Sequence, residues 1–396
     1  MVSTASPTEV PELVDWDLAA RVGRRVAGGE ALEARPAWSR QFTELSTIAD
    51  QAVAEFTGLG GNLGPPVAEP LDRGQWVENN LATLRRVLRP LAERLGSRKS
   101  WQAQGAVPNA LRASTRTLTG AEAGTLLGYV AQRVLGQYDL PVPSPEDPLR
   151  RAWGEGHEEP HSGAPQGQAQ PGAAWVPGPS PGSPEGRVWY VVPNVVSTER
   201  RHGFRPRDFR LWIALHETAH RRQFRGVPWL PGHVQGLLDE YLGSVQVDEE
   251  ALHRVVERLQ GLLRRALAGE RIDLFDLVFT AEQRQTLNKV QATMTVLEGH
   301  GEFVMHQLGA RMVPGHEEMR RVMHERRNAG GLNRVIQELL GLRQKLDQYA
   351  RGERFIAYLY ERGGMELVNR VFAAPSALPT LDEVSDPGRY LARSGG

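Results

Sequence analysis

The sequence predicts a mainly α-helical protein with a small β element. Apolar residues recur at three- and four-residue spacings through long stretches before residue 150 and after residue 206, which is typical of helices with one buried face. A single short stretch between them is rich in Val, Trp and Tyr, as strands are. Proline and glycine interrupt the periodic stretches, so we predict several separate helices.

The composition allows a large hydrophobic core and excludes some classes of partner. The chain has 396 residues, of which 40% are hydrophobic, enough for one or two domains. Lys+Arg and Asp+Glu both number 47, and no basic tail suggests a nucleic-acid partner. No stretch approaches the roughly 18 apolar residues of a membrane span, and the N-terminus lacks the pattern of a secretory signal. We therefore expect a cytoplasmic protein without nucleic-acid or membrane partners; the oligomeric state is not predicted.

Three regions follow one another along the chain. Residues 154–186 are dominated by Gly, Pro, Ser and Gln and cannot bury enough apolar surface to fold, so we predict a flexible insertion there. His157 and His161 lie within it and are interpreted as solvated loop residues. Residues 187–396 are expected to form one compact unit with the N-terminal helical region at residues 1–153. A buried face of that region is predicted at Leu81, Leu84, Val87, Leu88 and Leu91.

The stretch RVWYVVPNVVST is the best candidate for a strand, with a predicted span of 188–196. Pro193 cannot donate a hydrogen bond to a neighbouring strand, so we predict an edge strand rather than a central one. An edge strand offers unpaired backbone groups, and this one could therefore bind an extended peptide by strand addition.

A single helix is predicted from Pro206 to Gly226. Pro206 suits the first helical position, and Gly226 followed by a proline stops the helix. The basic residues near its end are expected to complement the negative end of the helix dipole, and they are Arg221, Arg222 and Arg225.

This helix contains the motif HETAH. His216 and His220 lie one turn apart on one face, so both imidazoles can reach one metal ion. Glu217 lies to the side, where its carboxylate can take a proton from a water that Zn²⁺ activates. The motif therefore predicts a zinc site with Glu217 as the general base.

The chain has no cysteine, so the third ligand must be His, Asp or Glu. Glu240 follows His220 by twenty residues, a spacing familiar from thermolysin-like enzymes. Glu298 lies at the edge of a predicted buried stripe, whereas Glu240 lies on the polar face of its helix. We favour Glu298, with Glu240 and His300 as alternatives. The stripe comprises Leu287, Val290, Met294, Leu297, Gly301, Val304 and Leu308.

The residues around Glu298 support a packed helix. Gly299 and Gly301 each weaken a helix, and close approach of another backbone is a common reason to keep such glycines. Glu302 lies one turn after Glu298 and could orient a ligating histidine through its second ring nitrogen.

HETAH followed distantly by LEGHGEFV resembles the gluzincin metallopeptidases. The closer resemblance is to a bacterial family, common in actinobacteria, of zincin-like hydrolases or zinc-dependent metalloproteases. Some members carry a label linking them to deazaflavin-coenzyme biosynthesis, but no Gly-rich phosphate loop follows a strand here. The matching stretches are VDWDLA (14–19), DRGQWVENN (72–80), VLGQYDLP (134–141), VVPNV (191–195), HETAHRRQFRGVPWLPGH (216–233), LEGHGEFVM (297–305) and LPTLDEVSDPGRYLAR (378–393).

The resemblance implies a zincin-like fold in which the HExxH helix packs against the third-ligand helix. It implies zinc ligation by His216, His220 and Glu298, with Glu217 as base, and it does not predict the substrate. We expect a zinc-dependent hydrolase acting on a peptide; the alternatives are a small-molecule amidase and a non-enzymatic zinc-stabilised scaffold. An oxyanion donor is also expected, with candidates Tyr190, His300, Tyr241 and His233.

Overall fold

The computed structural model describes residues 12–29, 31–96, 106–139, 186–244, 281–328 and 346–395. The predicted insertion at 154–186, with His157 and His161, lies outside the described residues except for Gly186. Helices predominate, and the strands form one small sheet, so the predicted fold class is confirmed. No helix in the described ranges has the length and apolar character needed to cross a membrane.

Four long helices are described before the insertion. The first begins after Asp15, whose side chain accepts a hydrogen bond from the Leu18 N–H at 2.9 Å and so caps it. The third contains the predicted stripe, of which Leu81 is buried. The helices are α1 (Trp16–Ala27), α2 (Arg35–Thr57), α3 (Arg73–Gly96) and α4 (Ala106–Ala131).

The sheet has three described strands, β1 (Val67–Leu71), β2 (Gly136–Asp139) and β3 (Arg187–Val191). Their order is β1-β3-β2; β1 runs parallel to β3, and β2 runs antiparallel to it. The prediction that this strand is an edge strand reaching residue 196 is therefore wrong. It is central and ends at Val191, because Pro193 lies in the first turn of the next helix, where its missing N–H costs nothing.

The central strand β3 separates two hydrophobic cores. Val188 and Tyr190 point into the larger core, with α2, α6 and α8 residues, whereas Trp189 and Val191 point into a smaller core beside α1, α3 and α4. A strand buried on both faces is apolar at every position rather than at alternate ones. This burial explains why the stretch has no alternating polar face.

Helices build most of the chain after the sheet. The α6 boundaries agree with the prediction, and Pro206 lies in the first turn. The described elements are α5 (Val192–His202), α6 (Pro206–Gly226), α7 (Leu230–Ser244), α8 (Ala281–Met312), α9 (His316–Asn328), α10 (Leu346–Asn369), α11 (Leu381–Ser385) and α12 (Pro387–Ser394).

Helix α8 is central in this arrangement, and it contacts α6, α7 and α10. Most of its residues from 295 to 305 are therefore buried, including Val296, Leu297 and Val304. The predicted stripe is wrong at Met294, which is 40% exposed. A single stripe describes a helix with neighbours on one side, whereas α8 has neighbours on several sides.

Helix α2 packs against α6. Phe42 and Leu45 of α2 lie in the larger core with Phe209 of α6. The Asp50 carboxylate accepts hydrogen bonds from Arg221 Nη1 at 2.8 Å and Arg222 Nε at 3.0 Å, and all three residues are buried. Arg221 and Arg222 thus neutralise a buried carboxylate of another helix, in addition to lying near the end of α6 as predicted.

Candidate metal centre

Helix α6 presents its two histidines to one point. The Nε2 atoms of His216 and His220 lie 3.1 Å apart, and their rings meet edge to face at 88°. The i, i+4 spacing puts both residues on the same face of the helix, as the motif predicts.

Helix α8 brings Glu298 to the same point. Its Oε2 atom lies 3.6 Å from His216 Nε2 and 3.7 Å from His220 Nε2. These separations leave a point about 2 Å from all three atoms, which is the length of zinc–nitrogen and zinc–oxygen bonds. Two imidazoles and one carboxylate are also the ligand set of many catalytic zinc sites that keep one position open. The three residues therefore fit a zinc ion.

Two glycines permit this approach of α8, in different ways. A Cβ added at Gly301 would lie 3.3 Å from Cε1 of both His216 and His220. A Cβ added at Gly299 would lie 2.2 Å from the backbone carbon of Gly352 on α10. The expected close contact thus exists at both positions, but Gly299 faces α10, and Gly301 faces histidine rings rather than a backbone.

The Glu217 carboxylate lies beneath the outer strand β2. The backbone N–H of Tyr138 donates a hydrogen bond to it, and a Cβ added at Gly136 would lie 2.7 Å from its Oε1. Glu217 is 6% exposed, and burial raises its pKa although His216 and His220 oppose the rise. Sequence reasoning missed Gly136 and Tyr138; a glycine inside a short strand is the signal for such a close approach.

Gln223 contacts both of the helices that carry the ligands. Its Oε1 lies 2.9 Å from His220 Nδ1, and its Nε2 lies 2.8 Å from the Leu297 carbonyl oxygen and 2.9 Å from His300 Nδ1. Gln223 has no exposed surface. The sequence analysis did not single it out, although it lies one turn after His220 on the same helix.

The three ligand residues influence one another electrostatically. Burial alone would lower the pKa of His220, but the charge and hydrogen bond of Glu298 outweigh it and raise this pKa to about 9. Burial would raise the pKa of Glu298, and both histidines together hold it well below its usual value. Without an ion, a carboxylate and a protonated imidazole thus stabilise each other here.

The comparison with known families agrees with this geometry. The chain matches the zincin-like metallopeptidase family over residues 14–391. It belongs to that family. The predicted resemblance is thereby confirmed, and membership implies a metal ion, typically zinc, for which His216, His220 and Glu298 supply suitable ligands.

One solved structure has a fold similar to that of this zincin-like chain. It is a crystal structure of a protein from Chloroflexus aurantiacus, provisionally described as a hydrolase with a novel fold. The two are 24% identical with a TM-score of 0.63, and the match covers 97% of this chain and 99% of the other. At this identity the similarity concerns the fold alone. No curated protein matches the chain.

The alternative ligands of this zincin-like chain lie elsewhere. Glu240 accepts hydrogen bonds from Thr286 Oγ1 at 2.6 Å and Lys289 Nζ at 3.3 Å, and it is exposed. His300 is fully buried, and burial lowers its pKa to about 3, so its ring is neutral. Neither belongs to the group of ligand atoms around His216.

Glu302 has a different neighbour from the expected one. Its Oε2 lies 3.5 Å from His306 Nε2 on the same helix, and His306 Nδ1 lies 2.7 Å from Glu353 Oε1. The Nδ1 atom of His220 is contacted by Gln223 instead. Glu302 lies a full turn beyond Glu298, so its contact is with the next turn of its own helix rather than with His220.

The structure separates the four candidate oxyanion donors into two pairs. Tyr190 is fully buried, and its hydroxyl lies 2.7 Å from Ser46 Oγ, within the larger core. His300 is equally enclosed. Both are therefore unable to touch a substrate in this conformation. His233 and Tyr241 are only partly buried on α7, and they stay candidates.

Proposed function

We propose that the chain is a zinc-dependent metallopeptidase. The observation that carries the proposal is the point about 2 Å from His216 Nε2, His220 Nε2 and Glu298 Oε2, beside a buried Glu217. A purely structural zinc site is closed by four protein ligands and has no use for a carboxylate base. Three ligands with a base beside them favour catalysis.

The residues have separate roles in this proposal. His216, His220 and Glu298 hold the ion; zinc, when bound, lowers the pKa of water and polarises a substrate carbonyl. Glu217 takes the proton of the attacking water. Burial is the main cause that raises the pKa of Glu217 above that of an ordinary glutamate. The Tyr138 N–H orients its carboxylate.

Strand β2 offers a binding edge for an extended peptide. The Val191 N–H donates to the Leu135 carbonyl at 2.9 Å, so residues 135, 137 and 139 direct their backbone groups toward β3. Gly136 and Tyr138 direct theirs the other way, which agrees with the Tyr138 N–H reaching Glu217. We propose strand addition at β2 rather than at β3, which is paired on both sides, through the Gly136 backbone and the Tyr138 carbonyl, since the Tyr138 N–H already binds Glu217.

The substitution Glu217→Gln tests the proposal. The amide cannot accept a proton, so we expect zinc content and fold to be kept while peptide hydrolysis falls by roughly 10²–10⁴-fold. A peptide library read by mass spectrometry supplies the substrate, and elemental analysis supplies the zinc content. Glu55→Gln on α2 is the control, since Glu55 is exposed and accepts a hydrogen bond from the neighbouring Gln51.

Three outcomes would change the assignment. Undiminished cleavage by Glu217→Gln would remove Glu217 as base. Hydrolysis of simple amides, with no peptide cleaved by the wild-type protein, would replace the peptidase by an amidase. A zinc-loaded wild type that cleaves neither would favour the scaffold.

A further inference from the structure

We propose that Gln223 is a positioning residue that sets the tautomer of His220 and ties the two ligand-bearing helices together. This inference rests on the proposed function, because it gives Gln223 its importance through the metal. It is carried by hydrogen bonds from one buried amide to groups on α6 and α8.

The orientation of the Gln223 amide follows from the Leu297 backbone. A carbonyl oxygen can only accept hydrogen bonds, and this one lies 2.8 Å from the end of the Gln223 side chain. The atom facing it must therefore be the amide nitrogen. The opposite orientation would place two acceptors in contact inside a buried space, so the amide oxygen must face His220.

The orientation of the amide in turn fixes the His220 ring. The Gln223 oxygen accepts, so His220 Nδ1 at 2.9 Å must carry a hydrogen and donate it. The remaining nitrogen, Nε2, can then offer its lone pair to an ion at the point shared with His216 and Glu298. In the other neutral tautomer, Nε2 would carry the hydrogen and could not bind the ion.

His300 completes the arrangement around the amide. Its Nδ1 lies 2.9 Å from Gln223 Nε2 and accepts the second amide hydrogen, which places the His300 hydrogen on its own Nε2. The ring stands edge-on to Phe372 at 81°, with centroids 5.2 Å apart, and has no exposed surface. Both hydrogens of the Gln223 amide thus have acceptors, whereas the buried His300 Nε2 has no hydrogen-bond partner among the described residues.

The same amide holds α6 and α8 at a set separation. Leu297 directly precedes Glu298, so the contact to its carbonyl lies one residue from the third ligand. A hydrogen bond to the ring nitrogen of a ligating histidine that does not bind the metal typically contributes 10–100-fold to metal affinity. Replacement of Gln223 should therefore weaken zinc binding although the side chains of all three proposed ligands are kept.

The variants Gln223→Met and Gln223→Glu separate the two parts of this role. Methionine has a similar length but neither accepts from His220 strongly nor donates to Leu297, so we expect zinc affinity to fall about 10–100-fold in a chelator competition. Glutamate still accepts from His220 Nδ1 but cannot donate to Leu297. We expect Gln223→Glu to recover most of the zinc affinity while the zinc-free protein melts at a lower temperature than wild type.

Gln283→Met is the matched control. Gln283 is also buried, and its Nε2 donates to the Ser244 carbonyl at 3.0 Å, on the same helix as Glu298 but several turns away. Its loss should lower stability and leave zinc affinity unchanged. Equal zinc affinity in wild type and Gln223→Met, or an equal loss in both Gln223 variants, would overturn the role in the tautomer.

A measurement on the zinc-free protein tests the role of Gln223 separately from the proposed function. In zinc-free protein with ¹⁵N-labelled histidine, assigned with His220→Gln and measured at a pH at which the His220 ring is neutral, we expect a His220 Nδ1–H that is shifted downfield in wild type and loses this shift in Gln223→Met. An unprotonated Nδ1 in wild type would refute the inference even if no Gln223 variant folds. A wild type with this signal that binds no zinc would refute the metallopeptidase alone.

Discussion

Glu298 and Glu240 show how much the surroundings of a carboxylate matter. Both follow the two histidines, and the shorter spacing of Glu240 is the more familiar one. Glu240, however, is exposed, and the hydrogen bond from Thr286 is the main reason that its pKa is lowered. Glu298 owes its low pKa to His216 and His220, which overcome the cost of its burial. Only Glu298 has the two imidazoles as its partners.

The pair Glu298→Gln and Glu240→Gln tests this difference at the level of single residues. We expect Glu298→Gln to lower zinc affinity at least about 10-fold, because a neutral amide is a poor zinc ligand. Glu240→Gln should bind zinc like wild type, since it loses only surface contacts. Both affinities are measured by chelator competition, with about one zinc per chain expected in wild type. A larger loss in Glu240→Gln would make the thermolysin-like spacing the correct guide.

Among the elements, strand β2 contributes to the site through its backbone. Gly136 leaves room for the Glu217 carboxylate, and the Tyr138 N–H contacts that carboxylate. Strand β3 supplies the support, because it pairs with β2 on one side and with β1 on the other. The position of Glu217 relative to His216, His220 and Glu298 thus depends on the register between β2 and β3.

Gly136→Ala tests the contribution of β2. The new Cβ would come within 3 Å of three Glu217 side-chain atoms, so the carboxylate has to move. The moving group is the end of a flexible side chain, and we therefore expect the fold and zinc content to persist. Peptide hydrolysis should fall by roughly 10²-fold, the usual cost of displacing a reacting group by about 1 Å.

Gly236→Ala on α7 is the control for the added methyl group, because no atom of the described residues lies within 4 Å of the new Cβ. Full activity in Gly136→Ala, with zinc bound, would show that Glu217 has space to spare and that β2 does not set its position.

Across the whole molecule, the N-terminal helix α2 shares the larger core with α6, whereas α1, α3 and α4 pack in the smaller core. Phe42 and Leu45 pack with residues of α6, and Asp50 joins the same two helices through Arg221 and Arg222. Burial of a charged group is costly unless it is paired, so these three residues depend on one another. Helix α6 is consequently held in place through Arg221 and Arg222 by α2, which lies far away in sequence.

Asp50→Ala should destabilise the whole protein. Two buried guanidinium groups would lose their carboxylate, and breaking a buried pair in this way typically costs about 3–5 kcal/mol. Glu44→Ala on the same helix removes an exposed pair with Arg207, which is worth about 0–1 kcal/mol. Urea unfolding of the zinc-free proteins measures both changes. Equal midpoints for the two variants would contradict a structural role for the buried pair.

Features that depend on local geometry could be predicted from the amino-acid sequence. The limits of α6 followed from Pro206 and Gly226, and the common face of His216 and His220 followed from their spacing, because helix geometry relates residues four apart in the same way everywhere. The absence of cysteine restricted the possible metal ligands. Periodicity favoured Glu298, which the structure places beside both histidines.

Contacts between segments that are distant in sequence became known from the three-dimensional arrangement of the helices and strands. It placed β3 in the centre of the sheet, Gly136 and Tyr138 over Glu217, and Gln223 between the two ligand helices. The distance in space between residues 136 and 217, or between residues 223 and 297, cannot be derived from their separation in the sequence. It depends on how separate elements pack rather than on the geometry of one element. For that reason the sequence offered Glu302 as a candidate to orient one of the ligating histidines, whereas packing brings Gln223 to His220.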